Sequence, residues 1–367
     1  MNSAVDGLLS LFSVLELPYF VVVTVSILIT GVIIFLLMAV FATLAVYFER
    51  KVSAFMQDRL GPMEVGIVGF KGGRKFWGGI GQTIADALKL LSKEDILPND
   101  ADKPLMIIAP FIIFMGALLT FIGIPFSDGL IISDFNIGVF YVIAMSSVGV
   151  IGIILAGWSS NNKWSLYGAM RSAAQIISYE IPLGMCVLLP VLVVGSLEVS
   201  EIVKWQAEHR WFIFHSPFTF VAFFIFFISA LAETNRTPFD IPEAESELVA
   251  GWMTEYSGFR WAIFFLSEYA NMLIVSIVSA VLFLGGWLSP MRIFNIFPES
   301  WLFFDGPFWG IFWLMSKALF LIFVMMWFRW TFPRLRVDQL MYLCWKVFIP
   351  FALANLFFVT VLELIFL

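Results

Sequence analysis

Three charged residues interrupt segments that are otherwise apolar enough to cross a membrane: Glu180, Glu268 and Lys317. A charge at the centre of a bilayer costs about 2.5–3.5 kcal/mol on insertion scales, so such a residue needs a partner or a function. Each carboxylate is a candidate proton relay if its surroundings let it both take up and release a proton. The alternative is a buried, hydrogen-bonded carboxylate that fixes helix packing. For Lys317, a relay role and an ion pair with one of the glutamates remain equally open.

A second set of carboxylates lies between the fifth and sixth apolar segments. Its members are Glu233, Asp240, Glu243, Glu245, Glu247 and Glu255. One interpretation is a solvated acidic loop, in which Glu243 and Glu247 are i,i+4 neighbours on a helix. The other follows from apolar neighbours such as Phe239 and Trp252, because carboxylates beside such residues and a bilayer are partly desolvated and share protons. Both interpretations remain open at this point.

The composition of the chain decides its class. Of 367 residues, 61% are apolar and only 13% are charged, whereas a soluble domain carries roughly 25% charged residues. Cys186 and Cys344 form no C-x-x-C motif, and both histidines, His209 and His215, fall in one loop. The sequence therefore offers no iron–sulfur or zinc ligand set and no histidine on a span for haem. We expect this chain to bind no metal, haem, flavin, cluster or nucleic acid, and any redox centre to belong to a partner.

Eight segments are long and apolar enough to span a bilayer. They lie at about 18–47, 104–124, 137–157, 168–196, 217–233, 259–287, 308–328 and 347–367. We predict an all-α integral membrane protein, a bundle of about eight transmembrane helices in which residues 1–367 form a single polytopic domain. Pro182 and Pro190 are expected to kink or locally unwind the fourth span. Most of the 42 Phe and 14 Trp residues are expected to face lipid.

The basic residues predict the orientation. Most of the 21 lysines and arginines lie in the loops around 49–103, 158–171, 233–260 and 329–346, and few lie in the loops between them. By the positive-inside rule, these four loops face the cytoplasm and both termini face outward. The expected location is the bacterial inner membrane, with several passes through it.

Two cytoplasmic stretches are predicted to be helical. Gln82–Asp95 is amphipathic, with Ile84, Leu88 and Leu91 on one face, and is too short and too charged to cross the membrane. Thr237–Tyr256 opens with helix-start signals, because Asp240 and Glu243 have capping-box spacing.

A series of motifs occurs in order over residues 49–350. They are Glu49-Arg50-Lys51, Gln57 to Pro62, Ala85 to Lys89, Gly168 to Glu180, Ala232 to Asp240, Glu243 to Gly251, Glu268-Tyr269 and Asp338 to Met341. Together they resemble a membrane-subunit family of respiratory complex I (NADH:quinone oxidoreductase), the family that includes subunit 1 of the mitochondrial enzyme and its bacterial counterparts. The resemblance implies a tilted bundle of about eight helices beside the junction with the peripheral arm.

The resemblance also implies roles for individual residues. The loops 49–103 and 233–260 are expected to form the entrance and wall of a quinone chamber, while partner subunits supply the residues at the quinone headgroup and the iron–sulfur clusters. Small membrane subunits and antiporter-like subunits are further implied partners. The acidic path toward the antiporter-like subunits would comprise Glu180, Glu233, Glu268, Glu243, Glu245 and Glu247. The chamber or interface residues would be Arg50, Arg59, Arg236, Phe239, Asp240 and Trp252.

One departure from the family pattern is an insertion at residues 70–81, which is basic and rich in glycine. It either docks a partner or an anionic headgroup, or is a solvated excursion. Two rival functions are a related subunit of a membrane-bound hydrogenase and a stand-alone ion carrier. The lack of inverted repeats counts against the carrier.

Overall fold

The computed structural model describes residues 19–66, 78–242, 245–292 and 306–366, and these are mostly helical. Within these ranges seven helical segments are long and apolar enough to cross a membrane, and the 17-residue helix Pro217–Glu233 is a shorter apolar one. The longer helices are α1 (Tyr19–Met56), α3 (Lys103–Thr120), α4 (Gly138–Ser159), α5 (Lys163–Val194), α7 (Pro217–Glu233), α9 (Gly258–Phe283), α10 (Pro307–Thr331) and α12 (Ile349–Phe366). The short ones are α2 (Gly81–Ser92), α6 (Val199–Glu208), α8 (Glu245–Leu248) and α11 (Val337–Tyr342), the last joined to α12 by the π-helix Leu343–Phe348. The all-α membrane fold is therefore confirmed.

The predicted spans are correct in place but several are too short. α1 runs nine residues beyond the predicted end at residue 47, through polar residues such as Glu49. α5 begins at Lys163 because the side chain of Asn162 caps it by accepting a hydrogen bond from the backbone of Trp164. Hydropathy marks where a helix enters apolar surroundings, whereas caps decide where it begins or ends.

The fourth span was predicted to kink or locally unwind, and of these two alternatives the unwinding is wrong, since α5 is continuous through Pro182 and Pro190. The kink stays a prediction. A proline has no backbone N–H, so Pro182 leaves the carbonyl of Ser178 without its helical donor. The thiol of Cys344 donates to that carbonyl at 3.0 Å. The last helical segment thus completes the hydrogen bonding of α5 at this proline.

The centre of the bundle consists of α5 and α9. α9 packs against α1, α3 and α10, while α5 packs against α4, α7 and α12. Small residues allow the close approach of neighbouring helices, as at Gly152 of α4, which lies against Ile113 of α3. Glu180 of α5, with its buried Oε1, and Glu268 of α9, which lines a cavity between helices, therefore lie inside the bundle.

The predicted amphipathic helix is confirmed as α2, although it ends at Ser92 instead of Asp95. Its apolar residues Ile84, Leu88 and Leu91 are exposed, as expected for a helix that lies in a membrane interface. The other side of α2 packs against α1 and the first turns of α9.

The helix predicted for Thr237–Tyr256 is wrong. Its described residues, 237–242 and 245–256, form turns, the single helical turn α8 and a 3₁₀ turn at Gly251–Met253. The backbone of Val249 has a φ of 67° and that of Gly251 a φ of 54°, which right-handed helix does not allow. The carboxylate of Asp240 accepts a hydrogen bond from Arg334 at 3.0 Å. Glu243, the other half of the expected capping box, lies outside the described residues.

Most of the insertion, residues 70–77, also lies outside the described residues. At its end the carbonyl of Gly78 accepts a hydrogen bond from the Tyr47 hydroxyl at 2.8 Å. Its role in docking or as a solvated excursion stays a prediction.

Candidate functional site

A buried ion network joins the end of α1 to three distant parts of the chain. Both carboxylate oxygens of Glu49 accept from Nη1 of Arg236, at 3.0 and 2.8 Å. The Tyr269 hydroxyl donates to Oε2 at 2.5 Å, and Arg329 also donates to this carboxylate. The Arg236 guanidinium lies 4.3 Å from the centre of the Tyr269 ring. Glu49 therefore ties α1 to α9, α10 and the loop that follows α7.

The position of Arg236 depends on that loop, which residues 232–240 form around a side chain of α5. Nε2 of Gln175 donates to the carbonyls of Ala232 and Phe239, both at 2.8 Å. Burial is the largest single influence and disfavours the charged form of Arg236, but the charges of Glu49, Tyr269 and Glu268 together outweigh it and hold the pKa of the guanidinium well above its ordinary value. Arg236 is thus a fixed positive charge in the interior.

A cavity of about 240 Å³, which we call the polar cavity, lies against this network. Its charged lining residues are Arg236, Asp240, Glu268 and Arg329. Nη2 of Arg236 is buried and has no hydrogen-bond partner among the described residues. The polar cavity can therefore hold water or a ligand oxygen beside a fixed positive charge.

A second, smaller cavity of about 40 Å³, the acid cavity, lies deeper in the bundle. Ser146, Glu233, Glu268 and Asn271 contribute polar groups to its lining. A buried water needs roughly 10–15 Å³ and two to four polar partners, so the acid cavity has room for a few water molecules. Because Glu268 lines both cavities, it is the carboxylate that connects them.

Glu180 extends this series of carboxylates. Glu233 and Glu180 lie close enough for their charges to interact. Ser146 lines the acid cavity together with Glu233, and Oε1 of Glu180 is buried without a hydrogen-bond partner among the described residues. The structure thus brings together three of the predicted relay residues, in the order Glu268, Glu233, Glu180.

A long groove of about 710 Å³ opens between α1, α2 and the start of α9. Its lining is mostly apolar and includes Phe35, Val46, Leu90, Phe259 and Leu266. The predicted chamber residue Arg50 also lines it and pairs with Asp86 of α2 at 2.5 Å. Trp261 and Phe265 line both this groove and the polar cavity, so the groove lies next to the charged interior.

Other predicted chamber residues lie in different surroundings. Phe239 is buried in the core, where its ring packs edge-on against Tyr179 at 5.6 Å. Trp252 is buried, packs against Phe264 and lines the acid cavity. Arg59 is exposed in the turn after α1.

The acidic loop is only partly described. The Glu247 side chain is 60% exposed and pairs with Arg171 at 2.8 Å. The side chains of Glu243 and Glu245 lie outside the described residues. Their predicted role in sharing protons stays a prediction.

Lys317 lies beyond the far end of α9. Its ammonium group donates to the carbonyls of Leu284, Gly286 and Leu288, at 2.7, 2.9 and 2.6 Å. The ammonium also lies 4.1 Å from the centre of the Trp211 ring. These partners are backbone carbonyls rather than a glutamate, so the predicted ion pair with a carboxylate is replaced by a cap on the turn after α9.

Sequence reasoning did not single out Glu49, Arg329 and Tyr269 as site residues, nor Ser146 of α4, which lines the acid cavity. Glu49 and Arg329 stand at span ends, where charged residues are common. The partners of Glu49 are 187, 220 and 280 residues away in the chain. The sequence did offer one sign of a buried role for Glu49: it is an acidic residue at a helix end where the other charged residues are basic.

Comparison with known proteins gives a consistent result. Residues 28–360 match the family described as NADH dehydrogenase. A relative from Chlorobaculum tepidum, named as a subunit of NADH-quinone oxidoreductase, is 53% identical over 317 residues, which is 85% of this chain and 85% of the relative. A relative of the same name from Bacteroides thetaiotaomicron is 49% identical over 89% of this chain and 87% of the relative. Another from a Geobacillus species is 49% identical over 89% and 90%.

Proposed function

The chain belongs to the NADH dehydrogenase family, and from this premise we propose that it is a membrane subunit of a proton-pumping NADH:quinone oxidoreductase. In this proposal it forms part of the quinone chamber and couples quinone reduction to proton translocation through buried carboxylates. Its partners are the peripheral-arm, small membrane and antiporter-like subunits of complex I. The redox centres belong to those partners.

The apolar groove supports the chamber part of the proposal. A quinone carries a long apolar tail and a polar headgroup, so it needs an apolar path that leads to polar groups. The volume of the groove is typical of a ligand site, and Trp261 and Phe265 border both the groove and the polar cavity. The exposed apolar face of α2 and the lysines 89 and 93 beside the groove suit a position at the membrane surface. We infer that quinone enters from the bilayer between α1, α2 and α9.

The observation that carries the coupling proposal is that Glu268 lines both cavities. Quinone reduction consumes two electrons and two protons, so it changes the charge and proton demand in the chamber. Arg236 stays positive because Glu49 fixes it. Of the two carboxylates that line the polar cavity, Asp240 and Glu268, only Glu268 also lines the acid cavity. A proton taken up or lost by Glu268 then changes the proton affinity of Glu233 across the acid cavity. The change at Glu233 in turn changes the proton affinity of Glu180, which lies beyond it.

The proposed role of the acidic loop depends on its contact with a partner subunit. Glu247 is exposed in this chain, so it becomes desolvated only where a partner subunit covers the loop. We propose that Glu243, Glu245 and Glu247 sense chamber charge in the assembled enzyme. In accord with the distribution of basic residues, the protein crosses the bacterial inner membrane with this loop on the cytoplasmic side.

The Glu268→Gln variant tests the coupling proposal, because glutamine keeps the size and hydrogen bonding but cannot carry a proton. We expect NADH:quinone turnover and proton pumping to fall by about 10²-fold or more, since a lost acid–base group typically costs about 10²–10⁴-fold. NADH oxidation by an artificial acceptor at the peripheral arm should stay normal, which shows intact assembly. The matched control is Glu363→Gln, since Glu363 is bound to His215 at 3.1 Å and lines neither cavity. Normal pumping in Glu268→Gln would overturn the proposal.

A further inference from the structure

The polar cavity and the acid cavity share two of their described lining residues, Glu268 and Asn235. The two residues before Asn235 line the acid cavity, and the two residues after it line the polar cavity. The chain therefore passes from one cavity to the other at Asn235. Together with Glu268, this asparagine forms the wall between the two cavities.

The Asn235 side chain is held in the wall by two residues of α5. Its Nδ2 donates to Oγ of Ser172 at 3.1 Å, and its Oδ1 accepts from Nε2 of Gln175 at 3.2 Å. The backbone of Asn235 has a φ of 51°, a left-handed conformation that asparagine adopts more readily than most residues. Both the backbone and the amide are thus fixed at the boundary of the cavities.

The two members of the wall differ in what they can do with a proton. A carboxylate becomes a donor when it takes up a proton, and it can release that proton again. A side-chain amide donates and accepts hydrogen bonds but does not exchange its charge state at neutral pH. Glu268 can therefore pass a proton through the wall, whereas Asn235 can only fill its part of it.

We propose that Asn235 insulates the acid cavity from the polar cavity, so that protons cross the wall through Glu268. Glu268 takes a proton from water on one side and gives a proton to water on the other, and Asn235 is unchanged. Both cavities have polar groups and room for water. A continuous file of water through the wall would let protons bypass Glu268, and the charge in the chamber would no longer control the relay. This inference rests on the proposed function, since it says why Glu268 is the obligatory connection.

An asparagine with a positive φ is common in turns and by itself needs no function. Asn161, after α4, is such a residue: its φ is 46°, it is exposed, and its Nδ2 donates to the carbonyl of Asp100 at 3.1 Å. What distinguishes Asn235 is its place between two cavities. Asn161 therefore supplies a matched control for the loss of an asparagine in this backbone conformation.

The first test opens the wall with Asn235→Gly in the assembled enzyme. Glycine adopts a positive φ without strain, so the loop keeps its backbone while the amide is removed. We expect NADH:quinone turnover to continue, with a loss in the number of protons pumped per NADH oxidised in proteoliposomes. Asn161→Gly should pump as the parent enzyme does. Ser172→Ala should also pump normally, because it removes one hydrogen bond to α5 but leaves the amide in the wall.

The second test gives the wall a new proton carrier at the same position. Aspartate has the size of asparagine and also tolerates a positive φ, but it can take up and release a proton. Adding Asn235→Asp to the Glu268→Gln enzyme should regain about tenfold of the roughly 10²-fold turnover that Glu268→Gln alone is expected to lose. Asn271→Asp is the matched control in the same background, since Asn271 lines the acid cavity but not the polar cavity. It should regain nothing.

Three outcomes would overturn the insulating role of Asn235. One is normal proton stoichiometry in Asn235→Gly, and another is an equal fall of turnover and pumping in that variant. The third is no gain from Asn235→Asp in the Glu268→Gln enzyme, and this arm decides the question if Asn235→Gly does not assemble. Glu268→Gln alone separates the inference from the larger proposal. If that variant is impaired, a failure at Asn235 leaves the relay standing; if it pumps normally, the relay itself fails.

Discussion

Lys317 and Glu180 look alike in the sequence, since each is a charged residue near the middle of an apolar span, but their surroundings differ. The ammonium of Lys317 has three N–H donors, and the structure gives them three carbonyl acceptors at 2.6–2.9 Å. Glu180 keeps one buried oxygen without a partner in the described part of the chain and lies beside another glutamate. A fully hydrogen-bonded charge resists change, whereas a carboxylate with an unused acceptor and a cavity nearby can exchange a proton. Hydrogen-bond saturation therefore separates structural charges from candidate relays.

Glu49 belongs with Lys317 in this comparison. Two guanidinium groups and the Tyr269 hydroxyl bind its carboxylate, and the Glu49 side chain is 6% exposed. The same bundle thus contains a saturated carboxylate beside the polar cavity and, at Glu180, a carboxylate with a buried oxygen that has no hydrogen-bond partner among the described residues. Substitution of a fully hydrogen-bonded charge should reduce stability and assembly. Substitution of a carboxylate with an unused acceptor should reduce turnover instead.

The largest effect is expected for Glu49→Gln. A neutral amide leaves Arg236 and Arg329 with an uncompensated charge, and breaking a buried pair in this way costs about 3–5 kcal/mol. We expect little assembled complex in the membrane, measured by native gel electrophoresis and by NADH oxidation with an artificial acceptor. Asp58→Asn is the control, because it removes an exposed carboxylate just after the same helix. A normal amount of complex with low turnover would move Glu49 into the relay class.

Lys317→Met should have the next largest effect and should act on stability. It leaves three carbonyls of the turn after α9 without their donor, at about 1–3 kcal/mol for each buried group that stays unsatisfied. We expect a lower thermal unfolding midpoint of the purified complex with nearly normal turnover per assembled enzyme. Lys346→Met provides the control, since Lys346 is exposed and lies over the Tyr342 ring at 4.9 Å. Preserved stability with lost pumping would instead support a relay role for Lys317.

Glu180→Gln should show the opposite pattern. The amide cannot carry a proton, yet it removes no ion pair, because Glu180 forms none among the described residues and keeps a buried oxygen without a hydrogen-bond partner there. We expect the thermal midpoint to stay the same or rise, while quinone turnover falls by about tenfold. The thermal midpoint and the quinone turnover should be measured on one preparation of each variant. If Glu180→Gln and Lys317→Met change the same one of these two quantities, the distinction between structural charges and candidate relays is wrong.

The sequence predicted the membrane class, and seven of its eight predicted spans are described helices long and apolar enough to cross a membrane, because hydropathy and charge are local properties. It could not predict which charges would be saturated. The carbonyls that bind Lys317 are 29–33 residues away in the chain, and the partners of Glu49 are much farther. The loop at 237–256 was predicted wrongly for a similar reason, since Asp240 binds Arg334 of a distant segment instead of capping a local helix. Tertiary packing decides all three cases.

The smallest effect is expected for Glu247→Gln, which tests the acidic loop. The exposed pair of Glu247 and Arg171 has side chains that are 60% and 34% exposed, and exposed pairs contribute about 0–1 kcal/mol. A double-mutant cycle with Arg171→Gln should therefore give a small coupling energy that disappears in high salt. Unfolding of the complex should hardly change.

Quinone turnover of the same Glu247→Gln enzyme then decides between the two interpretations of the loop. If a partner subunit covers the loop and desolvates it, the lost charge should slow NADH:quinone turnover by roughly twofold, which corresponds to about 0.4 kcal/mol in the barrier. Oxidation of NADH by an artificial acceptor should stay constant, because that reaction does not use the chamber. This is the result that we expect. Identical quinone turnover in the parent and in the Glu243, Glu245 and Glu247 variants, alone and combined, would mean that the loop is a solvated surface and that the relay begins at Glu268.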